Sequence, residues 1–118
     1  MSYEDRGKAI SLIADADYDK RYIAVSKTEV DEEFTICAEG EMPIGILQEK
    51  TKENTAGPVL ISGVSFVEAG EAIDAGSGVV VGDDGLGAAA GQDAVNIFGV
   101  ALNASSAAGD IISVLLQI

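Results

Sequence analysis

Apolar residues in this chain come in short runs that alternate with polar ones, and no stretch sustains the spacing of an amphipathic helix. Ala9-Ile10-Ser11-Leu12-Ile13-Ala14 can present alternate side chains to opposite faces and predicts a strand. The turn-prone Asp15-Ala16-Asp17-Tyr18-Asp19 closes it. The same reading predicts strands over residues 22–25, 34–38, 44–48, 59–61, 64–67, 79–81, 96–102 and 111–118, and a weaker one over 86–90. Pro43 keeps the strand over 44–48 from starting before about Ile44, and residues 49–57 read as an exposed hydrophilic loop ended by Gly57-Pro58. Gly63 marks a bulge or bend, and Gly82-Asp83-Asp84-Gly85 is the turn of a hairpin. The expected class is all-β, a small barrel or sandwich of short strands with at most one or two short helical turns. Alanine at 88–90 and 104–108 makes those stretches the places for such turns.

The pattern repeats. Ile44-Gly45-Ile46-Leu47 returns 54 residues later as Phe98-Gly99-Val100-Ala101. The same shift lays Ile10 on Val64, Leu12 on Phe66, Ile13 on Val67 and Val25 on Val79, so apolar meets apolar along most of the chain. Near the end Gly57 matches Gly109 at a shift of 52, which predicts a second closing loop two residues shorter than the first. Two copies are too few for a solenoid. The expected organisation is an arm over residues 1–7 and a single β domain over 8–118, built from similar halves 8–62 and 63–118.

Composition narrows the function. With 118 residues there is room for one core, made of small aliphatic side chains because the chain has no Trp and only three Tyr and three Phe. Twenty acidic against seven basic residues give a net charge of −13, which opposes nucleic-acid backbones and anionic membranes. Every basic residue lies between Arg6 and Lys52, so the second half is purely acidic. Neither a signal peptide nor a run long enough to span a bilayer is visible, and a soluble protein made in a cytoplasm is expected.

Candidate chemistry is sparse. Cys37 has no second cysteine to pair with and no histidine to activate it, so it reads as a small core residue rather than a nucleophile or zinc ligand. Gly82-Asp83-Asp84-Gly85-Leu86-Gly87 lacks the Lys-Ser/Thr of a phosphate loop and the closing glutamate of a calcium loop. The pairs Asp15/Asp17 and Glu32/Glu33 sit in polar surroundings and read as surface loops. No enzymatic activity, catalytic residue, metal or cofactor is expected. Val67 to Gly76 is similar to the turn-rich phrase of carrier and β-clip domains. The alternative of a carrier-like module in a metabolic complex is weakened because Lys20, Lys27, Lys50 and Lys52 lie outside the expected modified hairpin.

Taken in order, Ile44-Gly45-Ile46-Leu47, Val64-Ser65-Phe66-Val67-Glu68-Ala69-Gly70 with Ile73-Asp74-Ala75-Gly76, and the ending from Phe98 to Leu116 resemble the small decoration, or cement, proteins of tailed-phage capsids. The likeness covers residues 8–118 and extends more distantly to lambda-type head-decoration proteins. It implies a non-enzymatic β protein on the outer surface of the expanded head, holding neighbouring major capsid protein subunits together. It further implies a homotrimer at threefold or quasi-threefold positions. Tyr3, Glu4, Asp5 and Arg6 of the arm are the expected capsid contacts, since aromatic and arginine side chains anchor interfaces.

Overall fold

The computed structural model describes residues 7–118. Strands β1 (Ala9–Ala14), β2 (Ala24–Lys27), β3 (Glu33–Ile36), β4 (Gly45–Leu47) and β5 (Ala56–Leu60) close into a barrel in the order β1-β3-β2-β4-β5. The closing contact is the parallel pairing of β1 with β3, at Ile13↔Glu33 and Ala14↔Phe34, while β1 runs antiparallel to β5 from Ala9↔Leu60 to Ile13↔Ala56. Strands β6 (Val64–Glu68), β7 (Gly78–Val81), β8 (Gly87–Ala89), β9 (Gly99–Ala101) and β10 (Ile111–Leu116) form a second sheet in the order β6-β10-β9-β7-β8. A single parallel bridge, Ala69↔Gly87, joins its two outer strands, so the second unit is a looser version of the first. The all-β class is therefore the observed one, with short strands throughout.

Strand pairing in the first unit recurs in the second. The ladder of β1 with β5 reappears in β6 with β10 at a spacing of 55 residues, Leu12↔Gly57 becoming Val67↔Ile112. The ladder of β2 with β4 reappears in β7 with β9 at 54, and the lone bridge Tyr18↔Thr51 reappears as Ile73↔Ser105. The uniform shift of 54 is thus correct for β2 and β4 and one residue off for β1. Leu12 corresponds to Val67, both buried, whereas Phe66 is exposed. A slip of one exchanges the two faces of a strand, and here it could not be seen because β1 and β6 are apolar on both faces. Gly57 corresponds to Ile112 rather than Gly109, and the β9–β10 connection, residues 102–110, is one residue longer than the β4–β5 connection, residues 48–55.

Two further expectations change. The fifth strand begins at Ala56 and contains Pro58, because the carbonyl of Pro58 accepts the Gln48 N–H (2.9 Å) just beyond the end of β4, where no donor is required of residue 58. The alanines at 88 and 89 lie in β8 and 104–108 in a loop. The one helical element among the described residues is a 3-10 turn, Asp83–Gly85, at the tip of the β7–β8 hairpin. Asp84 and Gly85 take positive φ there, as an Asp-Gly turn requires, and the Gly82 N–H reaches the Leu86 carbonyl at 2.8 Å.

Alternate side chains of the first barrel enter different cores. Leu12, Val25, Phe34, Leu47 and Val59 point inward, with Phe34 stacked on Tyr18 at 5.5 Å between ring centres. Their neighbours Ala24, Ile46 and Leu60 point outward and pack with Val67, Val79, Phe98, Ile112 and Val114 of the second unit. That shared cluster welds the two units together. Polar contacts line its edge: the Glu68 N–H donates to the Tyr22 carbonyl (3.0 Å), Gly40 N–H to the Val81 carbonyl (2.9 Å), and Lys20 pairs with Glu68 at 3.1 Å.

The repeated glycine has a steric cause. A Cβ on Gly45 would lie 2.5 Å from the Leu60 carbonyl oxygen, and one on Gly99 would lie 2.6 Å from that of Leu115. In both units β4 or β9 passes so close to the next strand that no side chain fits.

The β9–β10 loop is held by a carboxylate. Asp110 Oδ2 accepts the Ser106 N–H (2.8 Å), the Ala107 N–H (3.2 Å) and the Ser106 hydroxyl (3.2 Å), and these bonds, the Ser106 N–H first, lower its pKa below the ordinary aspartate value. Because the folded pKa is depressed, the loop's stabilisation is present above the unfolded pKa and is lost as pH falls through the folded one. NMR amide shifts of Ser106 and Ala107 should titrate together with a midpoint below the usual aspartate value. A midpoint at or above that value would contradict the assignment.

Candidate interaction surfaces

The polar residues singled out in the sequence do not converge on a site. Asp17 accepts the Glu53 N–H at 2.9 Å and ties two loops together, while Asp15 accepts the Tyr18 hydroxyl, which in turn receives the Ile36 N–H at 3.0 Å. Burial, followed by the Asp15 bond, raises the Tyr18 pKa and keeps the phenol protonated. Glu32 is exposed at the β2–β3 turn, and Glu33 accepts the Thr28 hydroxyl at 2.9 Å. Cys37 is buried in the shared core with its sulfur near the Ala38 and Glu41 carbonyls, and desolvation raises its pKa, so the thiol form persists. Asp83 and Asp84 belong to the hairpin turn. Among the described residues no three His, Cys, Asp or Glu side chains are grouped to hold a metal ion. Tyr3, Glu4, Asp5 and Arg6 lie outside the described residues.

The molecule instead offers apolar surface. On the outer face of the second unit, Val64, Leu115 and Val100 form one row across β6, β10 and β9, and Phe66 and Ser113 form the next, with Leu102 beyond β9 bonded through its N–H to the Ser113 carbonyl. Val64, Phe66, Leu102, Ile111 and Leu115 are all exposed there. Tyr22 of the first unit meets Phe66 edge-on at 5.5 Å, so the patch continues across the junction. A second apolar surface is a shallow depression at the end of the first barrel where β1 parts from β3, lined by Ile10, Leu12, Lys27, residues 42–44 and Ile61 of the first unit and by Ile118 of the second. Apolar patches this continuous on an otherwise acidic body mark interfaces. The sequence carried a signal for the first of them: Ile111-Ile112-Ser113-Val114-Leu115-Leu116 is apolar at both parities, which a strand with one face in water has no reason to be.

A family model described as phage cement protein matches residues 13–117, nearly the whole chain. The chain belongs to the phage cement protein family. Among solved structures, the head fiber gp8.5 N base of bacteriophage phi29 is similar, with a TM-score of 0.78 at 18% identity over 93% of each chain, a likeness of fold. No curated protein matches the sequence. Family and fold agree with the geometry. A cement protein is a structural component of the phage head, and the described residues of this one expose apolar sheet surface.

Proposed function

We propose that this cement protein binds the outer surface of the expanded icosahedral head and stabilises contacts between neighbouring major capsid protein subunits. It does so as a homotrimer at threefold or quasi-threefold positions and performs no chemistry. The observation that carries the reading is the family match over residues 13–117, on a fold whose accessible features are apolar sheet faces. We further propose that residues 8–62 and 63–118 are two copies of one ancestral unit within a single domain, and that the arm, through Tyr3 and Arg6 with Glu4 and Asp5, adds to the shell contact. Extended arms bind sheet edges through main-chain hydrogen bonds that need little side-chain specificity.

Purified protein mixed with expanded shells of its own phage should sediment with them and saturate at a fixed ratio to the major capsid protein. Deleting residues 2–6 should leave the fold intact, since β1 starts at Ala9, and lower the occupancy. Protein that stays in the supernatant at every ratio would overturn the cement reading, and full occupancy after the deletion would remove the arm from it.

A further inference from the structure

The joint between the two units has two sides, and the rim of each has a counterpart that is uncovered among the described residues. On the first unit the joint uses the outward row Ala24, Ile46 and Leu60, with Gln48 beside it. By the strand registers the counterparts on the second unit are Gly78, Val100 and Leu115, with Leu102 in the place of Gln48. This is the exposed patch on β9 and β10. On the second unit the joint uses Ser65, Val81 and Asn96: Ser65 receives the Gln48 amide at 3.0 Å, Val81 receives the Gly40 N–H, and Asn96 donates to the Gly40 carbonyl at 3.0 Å. Their counterparts on the first unit are Ile10, Lys27 and Met42, which line the exposed depression.

We propose that copies of this chain join head to tail, the β9–β10 face of one seated in the Ile10–Met42 depression of the next, repeating between molecules the rim contacts of the joint already made within each. The substitutions between the two versions fit this occupant. The polar pair Gln48–Ser65 inside the chain becomes Leu102 and Ile10 between chains, both apolar and 51% and 40% exposed. Lys27 stands at the position of Val81, its Nζ donating to the Thr28 (2.9 Å) and Val30 carbonyls of its own chain, and the segment corresponding to Gly40 falls at Asp93–Ala94, which in the proposed joint brings a carboxylate of the purely acidic half near the one cation of the depression. Two elements are not repeated: Val67, Val79 and Val114, against which the row packs within the chain, have as counterparts Leu12, Val25 and Val59, buried inside the first barrel, and the counterpart of the Glu68 N–H is that of Ile13, which already donates to the Glu32 carbonyl at 2.7 Å, so the contact between copies is made by the side chains at the rim of the joint. A head-to-tail contact of this kind generates a closed ring when its rotation closes. The proposal specifies how the self-association named above is built and does not depend on shell binding.

The test uses full-length Ile10→Cys and Leu102→Cys, prepared separately with different tags, mixed and mildly oxidised; buried Cys37 gives little background. The mixed disulfide should dominate over both like-with-like products, and Leu102→Asp should weaken self-association in sedimentation at least ~10-fold while its melting curve stays that of the parent. Like-with-like disulfides, a parent chain monomeric at every concentration, or Leu102→Asp associating as the parent does would each overturn the head-to-tail joint. Shell binding that persists alongside any of those outcomes would leave the cement reading in place.

Discussion

Gly45→Ala is expected to be among the most damaging single-atom changes in the chain. The new methyl group would sit 2.5 Å from the Leu60 carbonyl oxygen and 2.7 Å from Val59 Cγ1, and the first of these is backbone in a closed barrel, which cannot step aside as a side-chain tip can. Overpacking against mobile side chains costs ~1–3 kcal/mol, and against a fixed strand the upper end, about 3 kcal/mol, is expected. Gly99→Ala should behave alike, with Val114 Cγ1 at 2.5 Å and the Leu115 oxygen at 2.6 Å. Gly91 has nothing within 4 Å of its would-be Cβ and an ordinary φ, so Gly91→Ala is the control and should change stability by no more than ~0.5 kcal/mol. Urea unfolding of the three variants measures this directly. A Gly45→Ala midpoint equal to that of Gly91→Ala would contradict the close approach of the two strands.

Phe34→Ala should be at least as severe, costing ~3–5 kcal/mol, a large part of the stability of a domain this size. Phe34 is fully buried, fills the first barrel and stacks on Tyr18, whose hydroxyl in turn holds Asp15 and the Ile36 N–H. Its register counterpart in the second unit is Gly87, and there the walls have closed in, with Val67 Cγ1 and Val79 Cγ1 at 3.1 and 3.3 Å from the would-be Cβ. The first barrel is held closed by its parallel β1–β3 pairing, so removal of the ring leaves a cavity instead of a collapse. Phe34→Leu should cost less than ~1.5 kcal/mol. If Phe34→Ala lost under ~1 kcal/mol in the same titration, the ring would not be the centre of that core.

The sequence was most legible where one property was repeated along the chain. Ala9–Ala14 was readable at its observed bounds from side-chain alternation, and the hairpin at Gly82–Gly85 from its Asp-Gly chemistry. Recurrence of Ile44-Gly45 as Phe98-Gly99 pointed to similar halves, but the carbonyl that excludes a side chain at Gly45 comes from Leu60, a pairing that local pattern does not contain. The register of β1 on β6 was lost for a related reason, because strands apolar on both faces align equally well one residue apart. Closure of the first barrel depends on the parallel contact of Ile13 and Ala14 with Glu33 and Phe34, and nothing local announces it. The interaction surfaces were half visible: the run from Ile111 to Leu116 showed that β10 has two faces to cover. The depression around Ile10 and Met42 draws on residues from five separate segments, Ile118 among them, and emerges only from the fold.

A cement protein that works on the outside of the head by holding capsid subunits together should keep DNA inside the head to a higher temperature. Genome release on heating can be followed in full heads from phage lacking this protein, with and without the purified chain added back. Added protein is predicted to raise the temperature at which DNA escapes and to appear as density on the outer surface at threefold or quasi-threefold positions. Heads that lose their DNA at the same temperature with and without a saturating coat would contradict it.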